Sequence, residues 1–168
     1  FKQKTAYEIS TRDWSSDVCS SDLPKPKVAL LSAVETVNPA IPSTMDAAAL
    51  CKMADRGQIT GAIVDGPLAF DNAVSAHAAQ IKQIVSPVAG DADILVAPDL
   101  EAGNMLAKQL EYLAGASGAG VVVGARVPIA LTSRADGPAV RMGSALLALL
   151  VAHHLRTDPL RQSQLRQA

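Results

Sequence analysis

Cysteine is scarce in this 168-residue chain, and charge of one sign is not in excess. Two cysteines, Cys19 and Cys51, cannot form the disulfide framework of a small secreted domain, and neither has metal-ligand spacing. Fifteen Lys and Arg against 16 Asp and Glu leave a net charge of −1, which argues against nucleic acid or an anionic membrane as the main partner. No apolar run approaches the roughly 18 residues of a membrane span. The longest, Ala145 to Ala152, predicts a buried or interface helix. No Gly-Lys-Ser/Thr occurs, so there is no Walker A loop. With 49% hydrophobic and 18% charged residues, the chain can bury a core, at a length that suits one domain rather than two full-sized ones. A cytoplasmic protein without a bound metal is the expectation.

Aromatics are few, and Phe1, Tyr7 and Trp14 all fall within residues 1–23. That stretch shows neither strand alternation nor a helical period, and no apolar h-region follows its lysines. It resembles a translated sequencing-adaptor read fused in frame to a gene fragment. Residues 1–23 are therefore expected to be a non-native arm, 24–155 the folded part and 156–168 a polar tail.

From Pro24 the pattern is regular. Residues 27–31, 60–64, 93–97, 121–123 and 127–131 read as buried strands, and 45–55, 77–85, 101–114 and 138–155 as helices. Ser43 or Thr44 can cap the first helix and Gly57 stop it; Asp71 or Ser75 can start the second. Leu106, Leu110 and Leu113 share one stripe of the third. Continuously apolar strands alternating with helices predict an α/β fold, a mostly parallel sheet with helices on both faces. Ligands of such sheets bind beyond the carboxyl ends of the strands. Those ends read VDGP (64–67), APDLEAGN (97–104) and LTSRAD (131–136).

Each motif has a plain alternative. The glycines of GASGAGVVVGA (115–125) follow a helix and lead into a strand, the reverse of a dinucleotide fingerprint, so they read as a helix C-cap and tight loop. Adjacent His153 and His154 point about 100° apart and cannot chelate together. His77 reads as a surface residue and Cys51 as a small core residue. In PDLEAGN, Asp99 can cap a helix, Glu101 suits the first-turn dipole and Gly103 relieves crowding. In SRAD, Ser133 can cap and Arg134 can pair with Asp136 at the surface. Local chemistry leaves both segments open between site and scaffold.

Taken in order, the segments DGPLAFD, SPVAG, PDLEAGN and SRAD closely resemble the phosphate acetyl/butyryl transferase family, over almost all of residues 25–152. The likeness is strongest to the acyltransferase module that some bacterial proteins fuse to an enoyl-CoA hydratase domain. The resemblance implies an isocitrate-dehydrogenase-like phosphotransacetylase fold, incomplete here and matching its C-terminal half. The implied reaction is acetyl-CoA or butyryl-CoA plus phosphate giving acyl phosphate plus CoA. The partners implied are acyl-CoA with inorganic phosphate or acyl phosphate, and a second copy in a homodimer. No nucleic acid, membrane or separate cofactor is implied, coenzyme A being part of the substrate.

Ser133 and Arg134 match the family's active-site Ser-Arg pair. Arg134 would bind phosphate in its planar fork, and Ser133 would orient substrate by hydrogen bonding rather than act as a nucleophile. The acetyl-specific members carry their proposed base seven residues beyond that Ser, where this chain has Val140. Asp136 is the nearest substitute, as in the butyryl-type pattern. Asp65, Gly66, Pro67, Asp99, Glu101 and Asn104 are the candidate substrate-binding residues. Two rival expectations stand beside this one: a catalytically inactive fragment, and an NAD-dependent dehydrogenase of the same broad fold.

Overall fold

The computed structural model describes residues 25–123, 125 and 127–157, so the expected arm and most of the tail lie outside the described residues. The chain divides into two compact units, the first ending at Leu106 and the second beginning at Ala107.

In the first unit, strand β1 (Lys27–Leu31) is the middle of a three-stranded sheet ordered β2-β1-β3, with β2 at Ile63–Leu68 and β3 at Ile94–Val96. Both pairings are parallel. Helix α1 (Pro42–Asp55) is the crossover from β1 to β2. Alternation along β1 sorts its side chains to two faces. Val28 and Leu30 pack with Ala47 and Leu50 of α1, and Ala29 and Leu31 pack with Leu68, Ala73 and Val88. Leu106 also reaches the second cluster. Burying each of these leucines is worth about 1.5–3 kcal/mol. As expected from the apolar run of β1, the sheet is covered on both faces.

Helix α1 starts earlier than expected. Pro42 occupies the first turn and Ile41 is the N-cap, with no side-chain cap bond; proline suits that turn because its missing N–H has no intrahelical partner there. Thr44, fully buried, instead ties down the preceding loop. Its hydroxyl donates toward the carbonyls of Ile41 (2.8 Å) and Asn38 (2.9 Å) and accepts from the Asn38 amide (2.9 Å). Gly57, at φ 71, follows the helix as expected. The expected helix 77–85 is two short helices, α2 (Phe70–Val74) and α3 (Ala76–Ile81), broken at Ser75. Ser75 caps α3 by accepting from the Ala78 amide at 3.3 Å. Gln83, at φ 54, ends the helical path before Val85.

Helix α4 (Leu100–Ala114) matches its prediction within one residue. Gly115, at φ 67, and the Ala116 amide, bonded to the Leu110 carbonyl at 3.0 Å, end it as the glycine-rich segment suggested.

In the second unit, β4 (Gly120–Val122) and β5 (Ile129–Leu131) form an antiparallel pair. Among the described residues the pairings are thus mostly parallel, as expected, and this one antiparallel pair stands in a separate two-stranded sheet. Residues 123–128 are too short a link for the crossover of a dozen or more residues that parallel neighbours require, so the chain can only turn back. Helix α5 (Pro138–Thr157) packs against both strands. Ser144, fully buried, joins α5 to β4: it accepts from the Gly120 amide at 3.0 Å and donates to the Val140 carbonyl at 2.9 Å.

Among its described residues α5 buries only Ser144 and Val151, so the Ala145–Ala152 stretch is not a buried helix. Met142, Leu146, Leu149 and Leu150 are exposed. By length and composition alone α5 could cross a membrane. His154 and Arg156 lie in its last turn, and Thr157 donates to the carbonyls of His153 and His154.

Candidate functional site

The nine residues singled out from sequence fall into three places. Asp65, Gly66 and Pro67 do not lie beyond a strand end. Strand β2 runs through them to Leu68, in register with β1 at Ala29↔Asp65 and, after a bulge, at Leu31↔Leu68. Pro67 is buried, and the Gly66–Pro67 peptide is cis. The Asp65 carboxylate accepts from the Gly66 amide at 2.8 Å. A Cβ at Gly66 would lie 2.7 Å from the Leu30 carbonyl oxygen, so the glycine is there for close approach of two strands. The Cys51 thiol, half-buried, donates to the Gly66 carbonyl at 3.4 Å. Burial, then the carboxylates of Asp65 and Asp55, push that thiol up to about 11.

At the start of α4, Asp99 caps the helix, its carboxylate accepting from the Ala102 amide at 2.7 Å. Glu101 is exposed in the first turn. Gly103 faces the Ala97 side chain, which an added Cβ would meet at 3.3 Å. Each of these has the scaffold role that helix physics assigns it. Asn104 is exposed.

Ser133, Arg134 and Asp136 are brought together in a turn between β5 and α5. The Asp136 carboxylate accepts from the Ser133 amide at 2.6 Å, and the Asp136 amide donates to the Ser133 carbonyl at 3.2 Å. The Ser133 hydroxyl accepts from the Ala135 amide at 3.4 Å. Neither plain alternative for SRAD holds. Ser133 stands too far from Pro138, the first helical residue, to cap α5. Among the described residues no carboxylate pairs with the Arg134 guanidinium, which is exposed. Lys108 of α4 lies in the same unit. Its hydrogen bond to Glu111, and then the carboxylates of Glu111 and Asp136, hold its ammonium above the ordinary range. The turn thus carries one serine hydroxyl, one carboxylate held by a backbone amide, and a guanidinium without a carboxylate partner among the described residues.

The sequence reading missed Arg141. From the opening turns of α5 its guanidinium donates through Nε to the Asp136 carbonyl at 3.0 Å, and through Nη2 to the Arg134 carbonyl at 3.5 Å. A signal was available: the first turn of α5 has no acidic residue, and a cation so near a helix N-terminus opposes the helix dipole unless acceptors hold it. Another missed cluster surrounds buried Asn72, whose amide donates to Glu35 at 3.3 Å. Lys82 there bridges Asp71 at 3.1 Å and Glu35 at 3.6 Å, tying the loop after β1 to α2 and α3.

The model of a family described as phosphate acetyl/butaryl transferase matches residues 13–149. The phosphate acetyltransferase of Rhizobium meliloti is 64% identical over 134 residues, covering 80% of this chain and 42% of that protein. The phosphate butyryltransferase of Clostridium acetobutylicum is 52% identical over 127 residues, covering 76% and 42%. The crystal structure of a branched-chain phosphotransacylase from Enterococcus faecalis is similar at TM-score 0.70 and 39% identity, over 83% of this chain and 49% of that one. The chain thus spans about two fifths of the length of these curated relatives. The match to the family model covers most of the described residues, and the solved relative shares their fold: the chain belongs to the phosphate acetyl/butyryl transferase family.

Proposed function

We propose that the protein containing this segment transfers an acyl group between coenzyme A and phosphate, and that the Ser133–Asp136 turn contributes to that site. The observation that carries the reading is the exposed Arg134 guanidinium, without a carboxylate partner among the described residues and adjacent in sequence to Ser133 within one closed turn. Planar guanidinium donors match two phosphate oxygens at once. In the direction of CoA acylation, the thiolate sulfur attacks the acyl phosphate carbonyl, the carbon–sulfur bond forms, and the carbon–oxygen bond to phosphate breaks. Arg134 stabilises the charge gathering on the leaving phosphate. Ser133 donates a hydrogen bond to the reacting group.

An ordinary thiol, near pKa 8.5, must lose a proton for this attack. One Asp136 oxygen is engaged by the Ser133 amide, and the other is the acceptor we assign to that proton. The step balances without a cofactor. The exposed leucines of α5 support association into a homodimer, and we place the reaction in the cytoplasm.

The test is arsenolysis of acetyl-CoA and butyryl-CoA by the full-length protein. Arg134→Ala should lose at least about 10²-fold in turnover, the usual loss on removing a preorganised donor to developing charge. Arg134→Lys keeps the charge without the fork and should recover part of it. Asp136→Asn should lower turnover and flatten the pH–rate profile. Near-native turnover in Arg134→Ala would refute the site.

A further inference from the structure

We propose that Arg141 is a positioning residue for this reaction: it holds the Ser133–Asp136 turn in the shape that presents Ser133 and Arg134. The inference rests on the acyltransfer reading above. The turn is closed from inside by three bonds: Ser133 amide to Asp136 carboxylate at 2.6 Å, Asp136 amide to Ser133 carbonyl at 3.2 Å, and Ala135 amide to Ser133 hydroxyl at 3.4 Å. Only the last and longest touches the peptide plane that leaves Arg134, and none touches the plane that leaves Asp136. Arg141 reaches those two planes, donating to the Asp136 carbonyl at 3.0 Å and, at 3.5 Å, to the Arg134 carbonyl. A guanidinium is suited to this because its donors diverge in one rigid plane, whereas an ammonium is a single point.

The base of the brace is firm. The Arg141 amide bonds to the Gly137 carbonyl at 3.2 Å, and three residues on, buried Ser144 ties α5 to β4. Since β4 pairs with β5 through Gly120↔Leu131, the strand that enters the turn and the helix that braces it share one support. Arg141 touches no reacting atom in this scheme. It acts through Arg134 and Ser133.

The experiment measures kcat and KM in the full-length protein for wild type, Arg141→Ala, Arg141→Gln, Arg141→Lys and Arg134→Ala. Amide exchange at Ser133 and Asp136 is followed in each. Arg141 is exposed, so folding should survive, and Gln and Lys serve as milder replacements. Arg141→Ala should lower kcat by about 10- to 100-fold, the scale of a small misplacement, while KM for acyl-CoA changes by about twofold at most. The two turn amides should exchange about tenfold faster. Lysine, reaching one carbonyl, should restore part of both. An ordinary surface arginine would move neither readout. Wild-type turnover in Arg141→Ala, or a fall in turnover without faster exchange at Ser133, overturns the inference alone, provided Arg134→Ala is inactive. A wild type without acyltransfer overturns the functional reading, and this inference with it.

Discussion

Replacing Gly66 by alanine should destabilise the protein rather than weaken substrate binding. The new Cβ would sit 2.7 Å from both the Leu30 Cβ and its carbonyl oxygen, and 3.3 Å from its Cα. Two of those three atoms are backbone, so no rotamer change relieves the contact. Neither can β1 retreat: it is the middle strand, held through Ala29↔Asp65 on one side and Leu30↔Val96 on the other. Leu30 is itself 5% exposed and packs with Val28, Ala47 and Leu50. Overpacking a filled core costs about 1–3 kcal/mol, and a clash against fixed backbone belongs at the upper end, near 3. Marginal stabilities of about 5–15 kcal/mol make that a large fraction. In urea, with slopes of about 1–3 kcal/mol/M, the midpoint should fall by roughly 1–3 M with an unchanged slope. An unfolding free energy within about 0.5 kcal/mol of wild type, the range of ordinary surface substitutions, would refute the close-approach argument. Loss of acyl-CoA affinity at unchanged stability would instead support the binding role expected for Gly66 from the sequence.

Two further predictions concern titratable groups of the first unit. The Cys51 thiol, pushed up to about 11 from 9.0, should carry about 100-fold less thiolate at pH 7 than an ordinary cysteine; peptide mapping after timed iodoacetamide treatment should find it slowly labelled, and rapid labelling at pH 7 contradicts its burial. The hydrogen bond from Lys82 lowers the Asp71 carboxyl below 3.8 and that to Asp71 raises the Lys82 ammonium above 10.5. The stabilisation from Asp71 is therefore full above pH 3.8 and disappears as pH falls through its lowered value, while that from Lys82 is full below pH 10.5 and disappears as pH rises through its raised one. Urea midpoints of wild type and Asp71→Asn should differ between these limits and converge in acid; a gap that persists unchanged at pH 2 would exclude the ion pair as its source.

Much of the site's scaffold was legible because it depends on near neighbours. Asp99 caps α4 through an amide three residues away, and capping preference is a property of one turn. The placing of Ser133, Arg134 and Asp136 in one turn is likewise short-range. Arg141 was legible only in part: a cation at a helix start without acids marks it, but its contacts to the turn depend on α5 leaning on β4 through Ser144. Asp65, Gly66 and Pro67 were misplaced because a glycine and a proline after an apolar run look like a strand end. Pairing with β1 across a bulge carries β2 past them.

The apolar runs and most breakers could be placed from the sequence alone, and with them the order of the strands and the two-faced burial of β1. Those features follow from backbone geometry and side-chain alternation within a few residues. Strand pairing came from the tertiary structure: β1 between β2 and β3 in parallel, β4 with β5 antiparallel. The tertiary structure also decided that Thr44 braces a loop instead of capping a helix. These outcomes rest on contacts between distant parts of the chain, where burial and close approach override what the local pattern prefers.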